Sequence, residues 1–417
     1  MEITGRLRQA RAALLVSFLC QGVAFALLVT RIPAVQDRYG VSDALLPVFL
    51  AAVPVLAGVG SIVSEQVVRR TSAKTVLRCV QPVVCLALVG VGAGDVLWQL
   101  ALSLAAFGLM VGALDASMNM QGVSLQRRYG RSIMLGFHAA FSLGGIIGAS
   151  LAWAGAHWHL TLFALFGGAA AVLIPVVLTA SVWYAGPTGT AAPEQAAPEQ
   201  AGPGADAPGA GAPAAADHAL PWRPLLPLCF AMAAAYIADA TVSNWSAKYL
   251  LDALHSSEEL ATLPYNAYMV TMLIGRTFGD AGVQRWGAAA VVRAGTVLAA
   301  FGFAVVAVAP GPWIGVLGFT LLGVGLCAIV PQVFAAGGRR FPGESDAAVA
   351  RLNLFNYIGF LIGSPLVGAV ADASSYRAAM VVPLVLVLTV LLVSRAFAAT
   401  PQRLGPAVAP FEPARPR

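Results

Sequence analysis

Asp115 sits in the run VGALDASMNMQG (111–122), a carboxyl group inside a long and otherwise nearly apolar stretch. At about 100° per residue, a helix through this stretch projects Gly108, Gly112, Asp115, Asn119 and Gly122 onto one face. A carboxyl group one turn from an amide, beside glycines that admit a neighbouring helix or solute closely, has the makings of a proton and ligand site. Such a group can exchange a proton with each side of a membrane as its surroundings change. The alternative is a residue near the membrane surface, since it lies roughly 27 Å along its helix at 1.5 Å per residue.

A second carboxyl group, Asp239, shares a helical face with Tyr236, Ser243 and Ser246, and Asn244 and Trp245 lie next to it in sequence. It reads either as a second proton-coupling residue or as a hydrogen-bonding partner of a neighbouring helix. Tyr265, Tyr268, Met269, Met272 and Arg276 line up as a stripe running from aromatic rings to a cation. Arg276 is then either the counter-ion of one of the two aspartates or a charge snorkelling from a loop. Asn353, Asn356, Tyr357 and Ser364 form another polar face, and Gln21 is a lone amide in a long apolar run. Side chains of these types bind a polar solute or pin helices together. His138, in RSIMLGFHAAFSLGG, reads as an interface residue or a proton relay.

These residues need a lipid solvent around them. Hydrophobic residues make up 59% of the 417 and charged residues 11%, more apolar sequence than a soluble domain buries. A hydrocarbon core of about 30 Å takes roughly 20 apolar residues to cross as a helix. Runs of that kind are expected at 12–31, 44–64, 75–94, 97–121, 135–155 and 159–184, then at 225–250, 260–280, 288–309, 311–337, 350–372 and 376–398. A charge at mid-membrane costs about 2.5–3.5 kcal/mol on insertion scales, so the acidic residues above are functional candidates by default. Of 25 Lys and Arg residues, all but Arg31, Arg38, Lys248 and Arg377 fall at one set of helix ends, which places both termini in the cytoplasm and the chain in the plasma (inner) membrane. The net charge of +6 is spread over helix ends, so no nucleic-acid partner follows. The five cysteines show no metal or disulfide spacing, and no phosphate-binding loop or nucleophile elbow occurs. The expectation is a non-enzyme without cofactor or metal.

Residues 185–220 are rich in Ala, Pro and Gly with two copies of AAPEQ, the composition of an unstructured linker. The expected organisation is an N-terminal six-helix bundle (1–184), this cytoplasmic linker, a C-terminal six-helix bundle (221–398) and a tail (399–417). Adding 215 to a residue number relates the bundles: Arg8 to Arg223, Asp37 to Asp252, Gly60 to Gly275, Glu65 to Asp280, Arg70 to Arg285, Arg78 to Arg293, Gly108 to Gly323, Gly144 to Gly359 and Gly148 to Gly363. The fold class is an all-α membrane protein of twelve transmembrane helices in two parallel repeats. That organisation resembles the major facilitator superfamily. Gly275, Arg276, Gly279, Asp280, Arg285 and Gly287 resemble its loop signature, whose role is to tie helix ends together by charge pairs that break on rocking; Gly60, Glu65, Arg69, Arg70 and Lys74 form a degenerate first-half copy.

Asp115 with Asn119, followed by GFHAAFSLGG and NWSAKYL, is similar to the bacterial fucose permease branch and its uncharacterised relatives. The resemblance implies a proton-coupling and ligand-handling role for Asp115 alone; the chain departs from the fucose permeases in having no proline after Asn119 and no second acidic residue on the first helix. The expected activity is proton-coupled symport of a small, sugar-like polar solute by a monomer. Asp115 and Asp239 would couple protons. Gln21, Asn119, Tyr236, Asn244, Trp245, Tyr265, Tyr268, Asn353, Asn356 and Tyr357 would bind solute. Arg276, Asp280, Arg285 and His138 would act as gate or counter-ion. The competing readings are a proton-driven efflux antiporter for drugs or metabolites and a non-transporting membrane receptor.

Overall fold

The structure, a computed structural model, describes residues 4–42, 45–186 and 221–398. The linker expected at 185–220 lies outside the described residues except for Ala185 and Gly186, and the tail expected at 399–417 lies outside them entirely. The first six long helices are α1 (Gly5–Thr30), α2 (Leu46–Arg70), α3 (Ala73–Ala93), α4 (Leu97–Tyr129), α5 (Met134–His157) and α6 (Leu162–Trp183). The second six are α7 (Leu226–Ala253), α8 (Leu263–Trp286), α9 (Ala288–Val308), α10 (Pro312–Arg340), α11 (Ser345–Ala373) and α12 (Tyr376–Phe397). Eleven of them are long and apolar enough to cross a membrane. The remaining one, α8, has 24 residues and carries Arg276, Asp280 and Gln284 in its second half. Its polar side chains are satisfied by α5 and α10, along which it packs.

Several helices run further than their apolar cores. The fourth, expected to stop at 121, continues to Tyr129, the second to Arg70 and the eighth to Trp286. Each extension adds a polar, arginine-bearing turn that leaves the hydrocarbon, where backbone hydrogen bonds no longer depend on apolar side chains. The tenth helix, expected to be continuous, breaks at Cys327 and Ala328 before resuming at Ile329.

Lipid offers apolar side chains no incentive to leave it, so helices associate through close backbone approach. Glycines provide it, and the repeat governs where. A Cβ on Gly108 would stand 2.8 Å from the Val53 carbonyl oxygen and one on Gly323 2.3 Å from that of Tyr268, residues again 215 apart. Gly144 lies as close to Leu19 and Gly359 to Ala233, setting α1 against α5 and α7 against α11 in the same way. Exposed tryptophans ring both ends of the bundle, Trp98, Trp153, Trp158 and Trp313 at one and Trp183, Trp222 and Trp286 at the other, as interfacial anchors do.

The tightest of these approaches is at Gly112, where a Cβ would fall 1.8 Å from the Ala57 carbonyl oxygen, whereas Gly167 has nothing within 4 Å. Gly112→Val is expected to separate α2 from α4 at about 1–3 kcal/mol, lowering the thermal midpoint of the detergent-solubilised protein by several degrees. Gly167→Val should leave the midpoint unchanged. Equal midpoints for both variants would contradict the packing described.

Candidate functional site

With α4 running from Leu97 to Tyr129, Asp115 has eighteen helical residues before it and fourteen after it, which places it at mid-span and away from the membrane surface. Its carboxylate faces the second half of the protein. Oδ2 accepts hydrogen bonds from Asn356 Nδ2 (3.3 Å) and from the Tyr357 hydroxyl (3.1 Å), both on α11. Gln21 on α1 and Asn353 on α11 also stand against it. Asn119 Nδ2 bonds the Asp115 carbonyl oxygen at 2.9 Å and reaches Oδ1 at 3.4 Å. Asn353 continues the network to Ser61 Oγ on α2 (3.3 Å), whose hydroxyl donates to the Ala350 carbonyl oxygen at 3.1 Å. Two acceptors in this cluster, Gln21 Oε1 and Asn119 Oδ1, are buried without a donor.

Asp239, at the middle of α7, accepts a short hydrogen bond from the Tyr268 hydroxyl on α8. The Tyr268 ring is fully buried and lies 6.3 Å from that of Tyr265. Tyr236, on the same helix as Asp239, lies within electrostatic reach of both carboxylates. Arg276 is only 9% exposed. It forms no ion pair with a described residue; Nη1 donates to Ser142 Oγ on α5 at 2.7 Å and Nε to the Cys327 carbonyl oxygen at 3.5 Å. The guanidinium thus meets a carbonyl that the break in α10 releases from the helix ladder, and it is neither a contact counter-ion nor a snorkelling loop charge. His138 is buried with its Nε2 unpartnered, its ring against Phe18 (5.5 Å) and, across the halves, against Phe334 of α10 (6.1 Å).

At the arginine-rich end the two halves are joined. Asp280 on α8 takes the first-turn amides of α5, with Oδ2 accepting from Gly136 N (2.9 Å) and Oδ1 from Leu135 N (3.3 Å) and Ser132 Oγ (2.6 Å). A carboxylate at a helix N-terminus is favoured both by these orphan donors and by the helix dipole. Arg127 Nη1 bonds the Pro342 carbonyl oxygen at 3.1 Å and Nη2 bonds Ser345 Oγ at 2.9 Å. Pro342 is the position that the 215 offset assigns to Arg127, so this contact joins two offset-related positions of the halves. Arg69 pairs with Glu65 of its own helix at 3.1 Å and with Glu344 of the other half at 3.2 Å.

The second half matches the family model of the Major Facilitator Superfamily over residues 228–416. An uncharacterised MFS-type transporter of Yersinia pestis is 28% identical over 388 residues, spanning 91% of this chain and 94% of its own. The chain is thus similar to the major facilitator superfamily, by family model over its second half and by relatives over nearly its full length. An uncharacterised transporter of Sinorhizobium fredii is 26% identical over 364 residues, 86% of this chain and 90% of that one. Among solved structures, the major facilitator transporter FucP in its outward conformation superposes with a TM-score of 0.73 at 16% identity, covering 94% of this chain and 99% of FucP. The protein is therefore a multi-pass membrane protein with the fold of this superfamily, similar over most of its length to transporters.

In this protein the sequence-selected residues divide. Asp115, Gln21, Asn119, Asn353, Asn356 and Tyr357 form one cluster, and Asp239, Tyr236, Tyr265 and Tyr268 form a second one beside it. Asn244 is exposed and belongs to neither cluster. Trp245 is tied to α11, its Nε1 donating to the Ser364 carbonyl oxygen at 3.2 Å and its ring against Gly368 and Tyr376, which makes it a packing residue. Arg285 is exposed and stacks on Trp286 at 5.4 Å, with no carboxylate partner among the described residues. Ser61, Ser132, Arg127 and Ser142 were missed by the sequence reading. None of the four left a signal, since the offset pairs Arg127 and Ser61 with unlike residues, Pro342 and Arg276.

Val123 and Gly338 give a direct test of the joined end, because a Cβ on Gly338 would lie 3.3 Å from the Val123 Cβ, near the roughly 3.5–4.5 Å that a disulfide takes. In a chain freed of its native cysteines, with a protease site inserted between residues 186 and 221, Val123→Cys with Gly338→Cys should keep the halves joined after oxidation and cleavage. Reductant should release them. Halves that separate despite oxidation would show that this end is open.

Proposed function

We propose that this protein is a proton-coupled symporter of a small, hydroxyl-rich polar solute. The observation that carries the reading is the Asp115 carboxylate, held by Asn356 and Tyr357 across the two halves while retaining partial solvent access. An ionised carboxylate is the strongest acceptor these two donors can find in a low-dielectric interior. Protonation weakens both bonds and loosens α4 from α11, so proton binding and movement of the halves act on the same contact. The unpartnered acceptors of Gln21 and Asn119 favour a solute that supplies hydroxyl donors, and Tyr236 and Tyr265 offer flat apolar walls beside them. FucP, whose fold this chain shares, is described as a fucose:proton symporter, which agrees with this class of solute.

The arginine distribution supports cytoplasmic termini. On that reading the joined end is the cytoplasmic one, with Asp280, Arg127 and Arg69 as its gate, His138 and Arg276 bracing it from within, and the bundles 1–184 and 221–398 as the two moving units of a monomer. Asp239, bonded to Tyr268 and near Arg276, serves as a second protonatable site that holds α7 to α8.

A thermal-shift screen against sugars, polyols and acids identifies a ligand, and proteoliposomes then report flux. Solute entry should carry protons inward with it. Asp115→Asn should abolish pH-driven accumulation while sparing solute counterflow, since an amide cannot exchange a proton yet keeps most of the hydrogen bonding. Full accumulation by that variant would remove Asp115 from coupling, and proton movement opposite to the solute would establish an exporter.

A further inference from the structure

A cavity of about 320 Å³ opens at the arginine-rich end where the start of α1, the end of α4 and the chain leaving α6 meet. Arg6 and Gln9 reach it from α1, Arg128 from α4, and Trp183 with the backbone of Tyr184, Ala185 and Gly186 completes the wall. Among the described residues no carboxylate lines it, and neither Arg6 nor Arg128 makes a hydrogen bond or ion pair with any of them. Two guanidinium groups in one concave site, uncompensated by any described residue, suit an anion.

The site is built. The Tyr129 hydroxyl, next to Arg128, donates to the carbonyl oxygen of Leu7, next to Arg6, at 3.1 Å, which fixes the spacing of the two helix ends. Tyr184 is buried and its hydroxyl bonds Ser17 of α1 and Gln81 of α3, while Gln121 Nε2 on α4 holds the Ala185 carbonyl oxygen at 3.2 Å. Cations from two helices, a neutral amide donor and pinned backbone suit a tetrahedral oxyanion, whose oxygens accept from guanidinium forks. Apolar side chains border the cations: Val182 is 63% exposed and Trp183 46% exposed, at a level where a tryptophan ring marks the membrane interface.

We propose that this cavity binds a phosphate-bearing anion, supplied either by the headgroup of an anionic phospholipid or by free phosphate. Bound there, the phosphate joins α1, α4 and the end of α6 at the base of the first six helices. The site lies apart from the acidic clusters and does not depend on the transport reading.

The test uses the full chain, delipidated in neutral detergent, titrated with phosphatidylglycerol, phosphatidylcholine or inorganic phosphate, with bound lipid counted by native mass spectrometry and stability read by thermal shift. The parent should retain phosphatidylglycerol over phosphatidylcholine. Arg6→Gln with Arg128→Gln should bind phosphatidylglycerol roughly 25-fold more weakly, about fivefold for each cation near a membrane surface. Arg78→Gln with Arg293→Gln, which removes the same charge from two exposed helix positions, should bind like the parent. Stabilisation by inorganic phosphate alone, lost in Arg6→Gln with Arg128→Gln, would assign the site to free phosphate. Equal loss of lipid in both double variants would overturn the proposal, as would unchanged lipid binding by Arg6→Gln with Arg128→Gln together with no response to phosphate.

Discussion

A carboxylate buried in a membrane-spanning bundle must find hydrogen-bond donors, because no lipid and little water can replace them. Asp115 finds donors on its own half at Asn119 and Gln21, and on the opposite half at Asn356 and Tyr357. Other features follow from this one contact. It places α4 against α11 at mid-span, brings Gln21, Asn353 and Ser61 to the same seam, and makes the charge on one side chain a term in the energy that holds the halves together.

The frame around that contact obeys a different rule. Backbone-to-backbone approach at Gly108 and Gly323, or at Gly144 and Gly359, repeats at an interval of 215 residues because both bundles face the same lipid and solve the same packing problem. The polar interior does not repeat. Asp115 corresponds to Val330, Asp239 to Ala24, and Arg276 to Ser61, so charge and hydrogen bonding are distributed unevenly over a symmetric scaffold. Even the break in α10 is asymmetric: its freed Cys327 carbonyl meets Arg276, while the corresponding Gly112 lies in an unbroken helix packed on Ala57.

Much of the first cluster was visible before any coordinates. Asp115 with Asn119, and Asn353 with Asn356 and Tyr357, each stood out as polar residues at helical spacing in apolar sequence, and each group does share a face. The residues judged by proximity in sequence fared worse. Asn244 and Trp245 follow Asp239 closely, yet one is exposed and the other packs on α11, because a few residues along a helix turn a side chain away from its neighbour. His138 counts only five residues into α5, which suggested a surface position. The burial comes from α1 and α10 closing over it.

By itself the sequence determined the solvent, the helices, the repeat and the acidic residues that cannot be idle, since each depends on composition and periodicity along one chain. Which donor meets which carboxylate was decided only in the tertiary structure. Asp115 and Tyr357 are 242 residues apart, and nothing in helical periodicity relates two faces on different helices until packing sets their rotation and depth. The same holds at the arginine-rich end, where Asp280 proved to be a cap for α5 and Arg285 a neighbour of Trp286. Two charges from one loop signature took different partners because the helix between them turns one inward and the other outward.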